Sequence, residues 1–258
     1  MTPSKRDGAP IALITGGSRG LGKSMALHLA ERGTNVILTH HGAADSAAEV
    51  VASIQRKGRR ALALPLDVRN TQSFDAFAER LRSELPSTFG REQLYALVNN
   101  ASIGAYATFA ETTEAQFDEL VAVHLKATFF LTQKLLPLLE DGGRILNLSS
   151  GLARSTLPGY AAYAAMKGGI EVLTRYMAKE LGPRRITANT IASGAVEADF
   201  GGGAVRDNSQ LNQAIAAQTA QGRVGLPDDV SAAVALLLSP ESAWMTGQRV
   251  EVAGGQGI

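Results

Sequence analysis

Residues 11–22 read IALITGGSRGLG, an apolar run that leads directly into a glycine-rich turn. A segment of helical period follows this turn over residues 21–32. The order of strand, glycine turn and helix is typical of a phosphate-binding site, because glycines let the backbone approach an anion and the first turn of a helix presents free N–H groups. The stretch therefore predicts a phosphate-binding turn that opens an α/β fold.

The spacing of this turn fits two patterns. Residues 17–24 match G-x-x-x-x-G-K-[ST], the P-loop of nucleoside triphosphatases, in which Lys23 would bind phosphates and Ser24 magnesium. A dinucleotide-type turn, G-x-x-x-G-x-G, is matched instead by Gly16, Gly20 and Gly22. Taken alone, the turn leaves a P-loop ATPase and an oxidoreductase open.

Short apolar runs alternate with helical segments along the whole chain, which is typical of βαβ units around a parallel sheet. Seven strands are predicted, at Ile11–Thr15, Val36–Thr39, Ala61–Leu66, Leu94–Asn99, Ile145–Ser149, Thr187–Ala192 and Gln248–Val252. Helices are predicted at 21–32, 43–57, 71–85, 114–139, 163–181 and 228–238. Residues 194–222 break this rhythm, so we expect a substrate loop or lid there; a disordered surface insertion is the alternative.

The composition excludes several classes of protein. The 258 residues carry 25 basic and 24 acidic side chains in a scattered order, which argues against a nucleic-acid or membrane partner. The absence of cysteine excludes disulfides and metal–thiolate sites. The chain starts with a polar segment and its apolar runs are too short to cross a bilayer. We therefore expect a soluble cytoplasmic protein.

A second group of residues carries proton chemistry. The predicted strand at 145–149 runs into Ser150, and YAAMK follows at 163–167, which places Tyr163 and Lys167 on one helix face. A lysine ammonium beside a phenol favours the phenolate and lowers the tyrosine pKa, so that the phenol can exchange a proton near neutral pH. The pair predicts a proton donor for a carbonyl oxygen.

The order and separation of the motifs resemble those of the short-chain dehydrogenase/reductases. The motifs are TGGSRGLG at 15–22, Asp67-Val68, Asn99-Asn100-Ala101, Ser150, YAAMK at 163–167 and GQRVEVAGGQ at 247–256. The resemblance covers nearly the whole chain and implies a single-domain, doubly wound Rossmann fold over residues 1–258, with a seven-stranded parallel sheet flanked by helices. A P-loop ATPase would leave the motifs after the glycine turn unexplained.

The resemblance implies NADP(H)-dependent reduction of a ketone or aldehyde, without a metal. Tyr163 would be the general acid, Ser150 would hydrogen-bond the substrate carbonyl, and Lys167 would lower the tyrosine pKa and bind the nicotinamide ribose. Asp67 and Val68 would border the adenine. The implied cofactor-binding set is Gly16, Ser18, Arg19, Gly20, Leu21, Gly22, His40, His41, Asp67, Val68, Asn100, Ala101, Ser102, Tyr163, Lys167, Gly194 and Val196.

The second predicted strand favours NADP(H) over NAD(H). It runs into His40 and His41, and no carboxylate stands there to hold an unphosphorylated ribose. Arg19 occupies the position at which NADP-preferring members of the family carry a basic residue, and an arginine can pair with a phosphate.

His124 stands where the family usually has an asparagine that helps to hold a proton-relaying water. A histidine can also relay protons, so we include His124 among the catalytic candidates. The alternative is a buried histidine that bonds a backbone carbonyl. Ser102 stands where glycine is usual.

The residues expected on the substrate side are mostly apolar or aromatic: Ile103, Tyr106, Leu152, Leu157, Tyr160 and Phe200. They predict a small, hydrophobic ketone or aldehyde. A 3-oxoacyl thioester reductase is an alternative of the same class, and a non-catalytic NADP-binding sensor is an alternative of another class. Extra apolar faces on the helices at 114–139 and 163–181 indicate pairing between subunits, and the resemblance implies a homotetramer, or a dimer.

Overall fold

A computed structural model describes residues 8–257. Seven strands form one parallel sheet in the order β3-β2-β1-β4-β5-β6-β7. They are β1 (Ile11–Ile14), β2 (Asn35–His40), β3 (Ala61–Pro65), β4 (Leu94–Asn99), β5 (Leu139–Ser150), β6 (Thr187–Ser193) and β7 (Arg249–Val252). The predicted α/β fold with a doubly wound, seven-stranded parallel sheet is confirmed.

Nine α-helices lie within the described residues. They are α1 (Gly20–Glu31), α2 (Ala44–Arg56), α3 (Phe74–Glu84), α4 (Glu114–Leu120), α5 (Ala127–Leu135), α6 (Ala161–Leu181), α7 (Ala204–Asp207), α8 (Ser209–Ala217) and α9 (Pro227–Leu237). Along the part of the chain that the structure covers, none of these helices is long and apolar enough to cross a membrane.

Two apolar layers cover the two faces of the sheet, because successive side chains of a strand point to opposite faces. In β1, Ile11 and Leu13 face the layer that contains α3, α5 and α6. Ala12 and Ile14 face the layer that contains α1, α2 and α9. All four of these side chains are buried, as a parallel sheet covered on both faces requires.

The single helix predicted over residues 114–139 is wrong in two respects. A π-helical turn at Val121–Lys126 separates α4 from α5, and such a turn inserts an extra residue that the helical period does not reveal. Helix α5 ends at Leu135, because Pro137 cannot donate a backbone hydrogen bond to continue it. Strand β5 begins at Leu139, six residues before the predicted start.

Residues 194–222 do not form an open loop. They contain a short 3₁₀ turn at Phe200–Gly203 and the helices α7 and α8. The three consecutive glycines of that turn have left-handed φ values of 61°, 73° and 81°, a conformation that favours glycine. Whether this helical segment serves as a lid remains a prediction.

Four apolar side chains on α5 and α6 are exposed: Phe129, Phe130, Val172 and Tyr176. Exposed apolar patches on paired helices are typical of subunit interfaces. They fit the expected homotetramer or dimer, which stays a prediction. The polar start of the chain, residues 1–7, lies outside the described residues.

Candidate active site

The candidate residues follow strands that end at one edge of the sheet. The glycine turn follows β1, Asn100 follows β4, Ser150 ends β5 and Gly194 follows β6. Strand order reverses between β1 and β4, and the crevice at such a reversal is where open α/β sheets bind ligands. The topology therefore places these residues along one edge of the sheet, the edge at which this crevice opens.

The glycine turn is closed by a very tight approach of the backbone. A Cβ at Gly22 would lie 2.2 Å from the carbonyl oxygen of Gly16, so only glycine fits. Arg19 is exposed at the N-cap position of α1, Ser18 is buried, and Leu21 packs on the core. The N–H groups of the first turn of a helix are a ready binding site for an anion.

Asn100 and Thr15 hold this turn in place. The side-chain nitrogen of Asn100 donates to the carbonyl oxygens of Thr15 at 2.9 Å and Gly16 at 3.2 Å. The Thr15 hydroxyl accepts from the backbone nitrogens of Asn100 and Ala101, both at 2.9 Å. Asn100 therefore braces the glycine turn, a role that the sequence did not indicate. Val68 and Ala101 line the same small cavity.

The P-loop alternative does not fit the structure. The Ser24 hydroxyl, expected on magnesium in that alternative, donates to Asp228 Oδ1 at 2.7 Å and accepts from Ser231 at 2.7 Å. Lys23 is exposed on α1. The Ser24 hydroxyl, which a P-loop would place on magnesium, is thus used in hydrogen bonds within the protein.

The residues expected near the adenine form a charged cluster. Asp67 accepts hydrogen bonds from Arg69 at 2.9 Å, and these bonds hold the pKa of the Asp67 carboxyl below its usual range. His41 Nε2 lies 3.6 Å from Asp67, and Arg69 also reaches Glu119 at 3.3 Å. His40 Nδ1 is buried without a hydrogen-bond partner among residues 8–257. Arg69 was not among the predicted residues, although it stands only two positions after Asp67.

Tyr163 is buried at the start of α6, and the side chains of Ser150 and Ser102 lie within hydrogen-bonding reach of its hydroxyl. Burial nevertheless raises the pKa of Tyr163 to about 12. The direction is opposite to the lowering that the Tyr–Lys pair predicts, because burial penalises the phenolate more than these two side chains stabilise it. The phenol is therefore protonated at neutral pH. Ser102, which the sequence analysis places in the cofactor-binding set, thus lies at the phenol of Tyr163.

Lys167 is buried one helical turn after Tyr163. Its Nζ donates to the carbonyl oxygen of Leu148 at 2.8 Å and lies 5.4 Å from the centroid of the Tyr163 ring. Burial lowers the pKa of Lys167 to about 7. The amino group of Lys167 thus lies over the face of the ring, and its bond to Leu148 anchors it to β5.

His124 lies on the π-helical turn and packs edge-to-face on Tyr163, with ring centroids 5.4 Å apart. Its Nε2 is 3.0 Å from the carbonyl oxygen of Ile103, and since a carbonyl can only accept, Nε2 carries the proton. Burial and the nearby charge of Lys167 lower the pKa of His124 to about 3, so the ring is neutral at neutral pH. This geometry favours the alternative of a buried histidine bonded to a carbonyl.

The turn after β6 is fixed by the closing motif. The Gly194 nitrogen donates to Val252 at 3.1 Å, and the Ala195 nitrogen donates to the side chain of Gln256 at 2.8 Å. Val196 pairs with Gly225. Gln256 thus holds the turn that follows β6, and the role of this turn in cofactor binding stays a prediction.

A family model of the short-chain dehydrogenase type, described as enoyl-(acyl carrier protein) reductase, matches residues 16–256. The chain belongs to the short-chain dehydrogenase/reductase family. It is 34% identical to a hydroxynaphthalene reductase-like protein, Arp2, from Metarhizium brunneum, over 95% of this chain and 94% of the relative.

Two solved structures of short-chain dehydrogenase/reductases are close in fold. LugOII, a promiscuous reductase that catalyses keto-reduction at C1 during lugdunomycin biosynthesis, has a TM-score of 0.92 and 36% identity, over 98% of this chain and all of that chain. The angucycline C-6 ketoreductase LanV, solved with bound NADP, has a TM-score of 0.90 and 34% identity, over 97% of this chain and 98% of that chain.

In this short-chain dehydrogenase/reductase, a buried ion pair lies directly behind the candidate catalytic residues. Arg249 Nε donates to Glu171 Oε1 at 2.5 Å, and the side chains are only 7% and 12% exposed. Glu171 also accepts from the Ser149 hydroxyl at 2.8 Å, and Arg249 donates to the backbone oxygen of Ser150 at 3.3 Å. The pair thus ties β5, α6 and β7 together, and sequence analysis did not find it.

Proposed function

We propose that this protein reduces a ketone to an alcohol with NADPH, and that Tyr163 is the general acid. The observation that carries the proposal is the arrangement around the buried phenol of Tyr163, which has the side chains of Ser150 and Ser102 near its oxygen and the Lys167 Nζ 5.4 Å from its ring centroid. Keto-reduction by LugOII and LanV, and the name of the Metarhizium relative, support this class of reaction.

The roles follow from where charge develops. Negative charge grows on the carbonyl oxygen as hydride reaches the carbon, and donors placed at that oxygen lower the barrier most. Ser150 and Tyr163 would supply two hydroxyl donors, and Tyr163 would transfer its proton. Lys167 would stabilise the phenolate that remains, since its ammonium lies against the ring.

The residues present fit a dinucleotide with a phosphorylated ribose. The glycine turn leaves no room for a Cβ at Gly17 or Gly22, and the N-terminus of α1 favours a diphosphate. Arg19 would pair with the 2′-phosphate. His40, the last residue of β2, offers a second polar group, because its Nδ1 has no hydrogen-bond partner among residues 8–257. When bound, NADPH supplies the hydride. NADP in LanV supports the same cofactor here.

The test follows the absorbance of reduced nicotinamide at about 340 nm with a panel of ketones. We expect NADPH to be consumed with a ketone, and Arg19→Ala to lower kcat/KM for NADPH about 10- to 100-fold without affecting NADH, because one charge-assisted bond to phosphate is lost. Lys23→Ala, an exposed neighbour on α1, is the matched control.

The outcomes separate the remaining alternatives. A preference for NADH above tenfold would refute the cofactor assignment. Binding of NADPH without consumption would favour the non-catalytic sensor. Consumption only with acyl thioesters would favour a 3-oxoacyl reductase when the substrate is a ketone, or an enoyl reductase when it is a conjugated alkene.

We also propose that residues 194–222 act as the lid. The ring of Phe200 lies 5.2 Å from that of Tyr163, which is only 6% exposed, so this segment borders the phenol. The three left-handed glycines that follow Phe200 would provide the hinge.

His124 is proposed as a positioning residue that holds Ile103 through its Nε2–H. Asparagine can donate a similar bond, so we expect His124→Asn to keep kcat within about threefold and His124→Ala to lower it at least about tenfold, because the Ile103 carbonyl loses its donor. Undiminished, equal rates in both variants would remove His124 from the mechanism.

The same variants carry a pH signature. The pKa of His124 is about 3 in the folded protein and 6.5 in the unfolded chain, so unfolding takes up a proton between these values. The free energy of unfolding of the wild-type protein should therefore fall as the pH drops from 6.5 towards 3. That of His124→Asn should fall less over the same range. Urea unfolding at pH 7.5 and pH 5 measures this difference. The same loss of unfolding free energy in the wild type and in His124→Asn would contradict it.

A further inference from the structure

We propose that the substrate is a ketone carried on a planar aromatic ring system, and that Tyr106 and Phe200 recognise the ring. The inference rests on the proposed function and names its substrate class. It is narrower than the small hydrophobic carbonyl expected from the sequence, because it assigns recognition to two particular rings.

Four aromatic rings form a continuous series of contacts that leads from the surface to the reacting phenol. The Tyr106 and Tyr160 centroids are 5.5 Å apart, those of Tyr160 and Tyr163 are 6.4 Å apart, and those of Tyr163 and Phe200 are 5.2 Å apart. The contacts are edge-to-face or tilted, which is the geometry that aromatic pairs prefer. A flat ring that approaches Tyr163 therefore meets aromatic surface throughout.

The two outer rings are exposed, yet each lies on a glycine that leaves room only for that ring. A Cβ at Gly104 would lie 2.9 Å from the Phe200 ring. A Cβ at Gly159, whose φ is +89°, would lie 2.3 Å from the Tyr106 ring. The backbone bond from Ala107 to the Gly159 oxygen, at 3.0 Å, holds the Tyr106 segment against this seat.

Exposure of such well-seated rings indicates a binding surface. Tyr106 is 69% exposed and Phe200 is 40% exposed, although burial of either ring would stabilise the fold. Ile103, Leu152 and Tyr160 pack beside Tyr163 and continue the apolar surface inward. This surface would bury a planar ring, and each aromatic contact adds about a two- to tenfold gain in binding beyond the burial of area.

The experiment compares 2-tetralone with 2-decalone. The two ketones have the same bicyclic framework, and neither carbonyl is conjugated with a ring, so their carbonyl chemistry is similar while only 2-tetralone offers an aromatic face. We expect kcat/KM with NADPH to favour 2-tetralone at least about fivefold. Tyr106→Leu and Phe200→Leu should each lower this preference about two- to tenfold, mainly through KM for 2-tetralone.

Phe109→Leu is the matched control, because Phe109 is 88% exposed in the same segment and makes none of the ring contacts described above. It should leave the preference unchanged. A second measurement does not depend on turnover. Calorimetry compares the Kd of 2-naphthol with that of its saturated analogue, decahydro-2-naphthol, in the presence and absence of NADP⁺. Wild-type protein should prefer 2-naphthol, and both leucine variants should lose that preference.

The outcomes distinguish the two proposals. If both ketones are reduced equally and the variants change nothing, aromatic recognition is overturned while the reductase function stands. If no ketone is reduced but 2-naphthol binds in a manner that depends on Tyr106 and Phe200, the recognition surface is supported and the reductase function fails. If 2-naphthol is not preferred over its saturated analogue, aromatic recognition is overturned in either case.

Discussion

Replacement of Tyr163 with phenylalanine is expected to lower kcat for ketone reduction by about 10²- to 10⁴-fold, the range that a well-placed general acid contributes. The ring itself should stay in place, because its contacts with His124, Tyr160 and Phe200 do not involve the hydroxyl. Only the proton donor is removed. Steady-state rates with NADPH and a ketone, together with the Kd for NADPH from nicotinamide fluorescence, measure the two effects separately.

The matched control is Tyr176→Phe, which removes the same hydroxyl from an exposed tyrosine further along α6. It should keep kcat within about twofold, since surface substitutions away from a site have small effects. Near-full activity of Tyr163→Phe would refute Tyr163 as the acid. A Kd for NADPH that rises as much as kcat falls would instead indicate a disturbed binding site.

The sheet could be predicted from sequence because its signals are local. Strand β4 has the bounds that the apolar run Leu94–Asn99 predicts, since all six of its side chains are buried. The break between α4 and α5 could not be predicted in this way. The segment keeps apolar residues at helical spacing throughout, and the extra residue of a π-helical turn leaves no local signature.

The same distinction between features with and without a local sequence signal applies to the candidate site. Ser150, Tyr163 and Lys167 belong to short motifs, so their positions could be predicted. The pKa of Tyr163 could not, because it depends on burial by residues from several elements, among them Phe200. The sequence indicated the lysine that favours the phenolate but gave no measure of the larger, opposing cost of burying that charge.

Arg249 and Glu171 lie 78 residues apart, and only the fold brings them together. An ionised pair that loses one buried partner leaves a charge that neither water nor a counter-ion stabilises. Because the pair also reaches the backbone of Ser150 and the hydroxyl of Ser149, such a loss would act on the strand that carries the candidate site.

Replacement of Arg249 with methionine should therefore lower the free energy of unfolding by about 3 to 5 kcal/mol, because it leaves the Glu171 carboxylate buried with only the Ser149 bond. Arg249→Met combined with Glu171→Leu should lose less than the single variant, since the uncompensated charge is gone.

Arg206→Met, which breaks exposed ion pairs with Asp199 and Asp207, should cost less than about 1 kcal/mol. Urea unfolding of the four proteins measures these differences. An Arg249→Met protein as stable as Arg206→Met, or a double variant less stable than the single one, would contradict the assignment of a desolvated, uncompensated charge to Glu171 in the Arg249→Met variant.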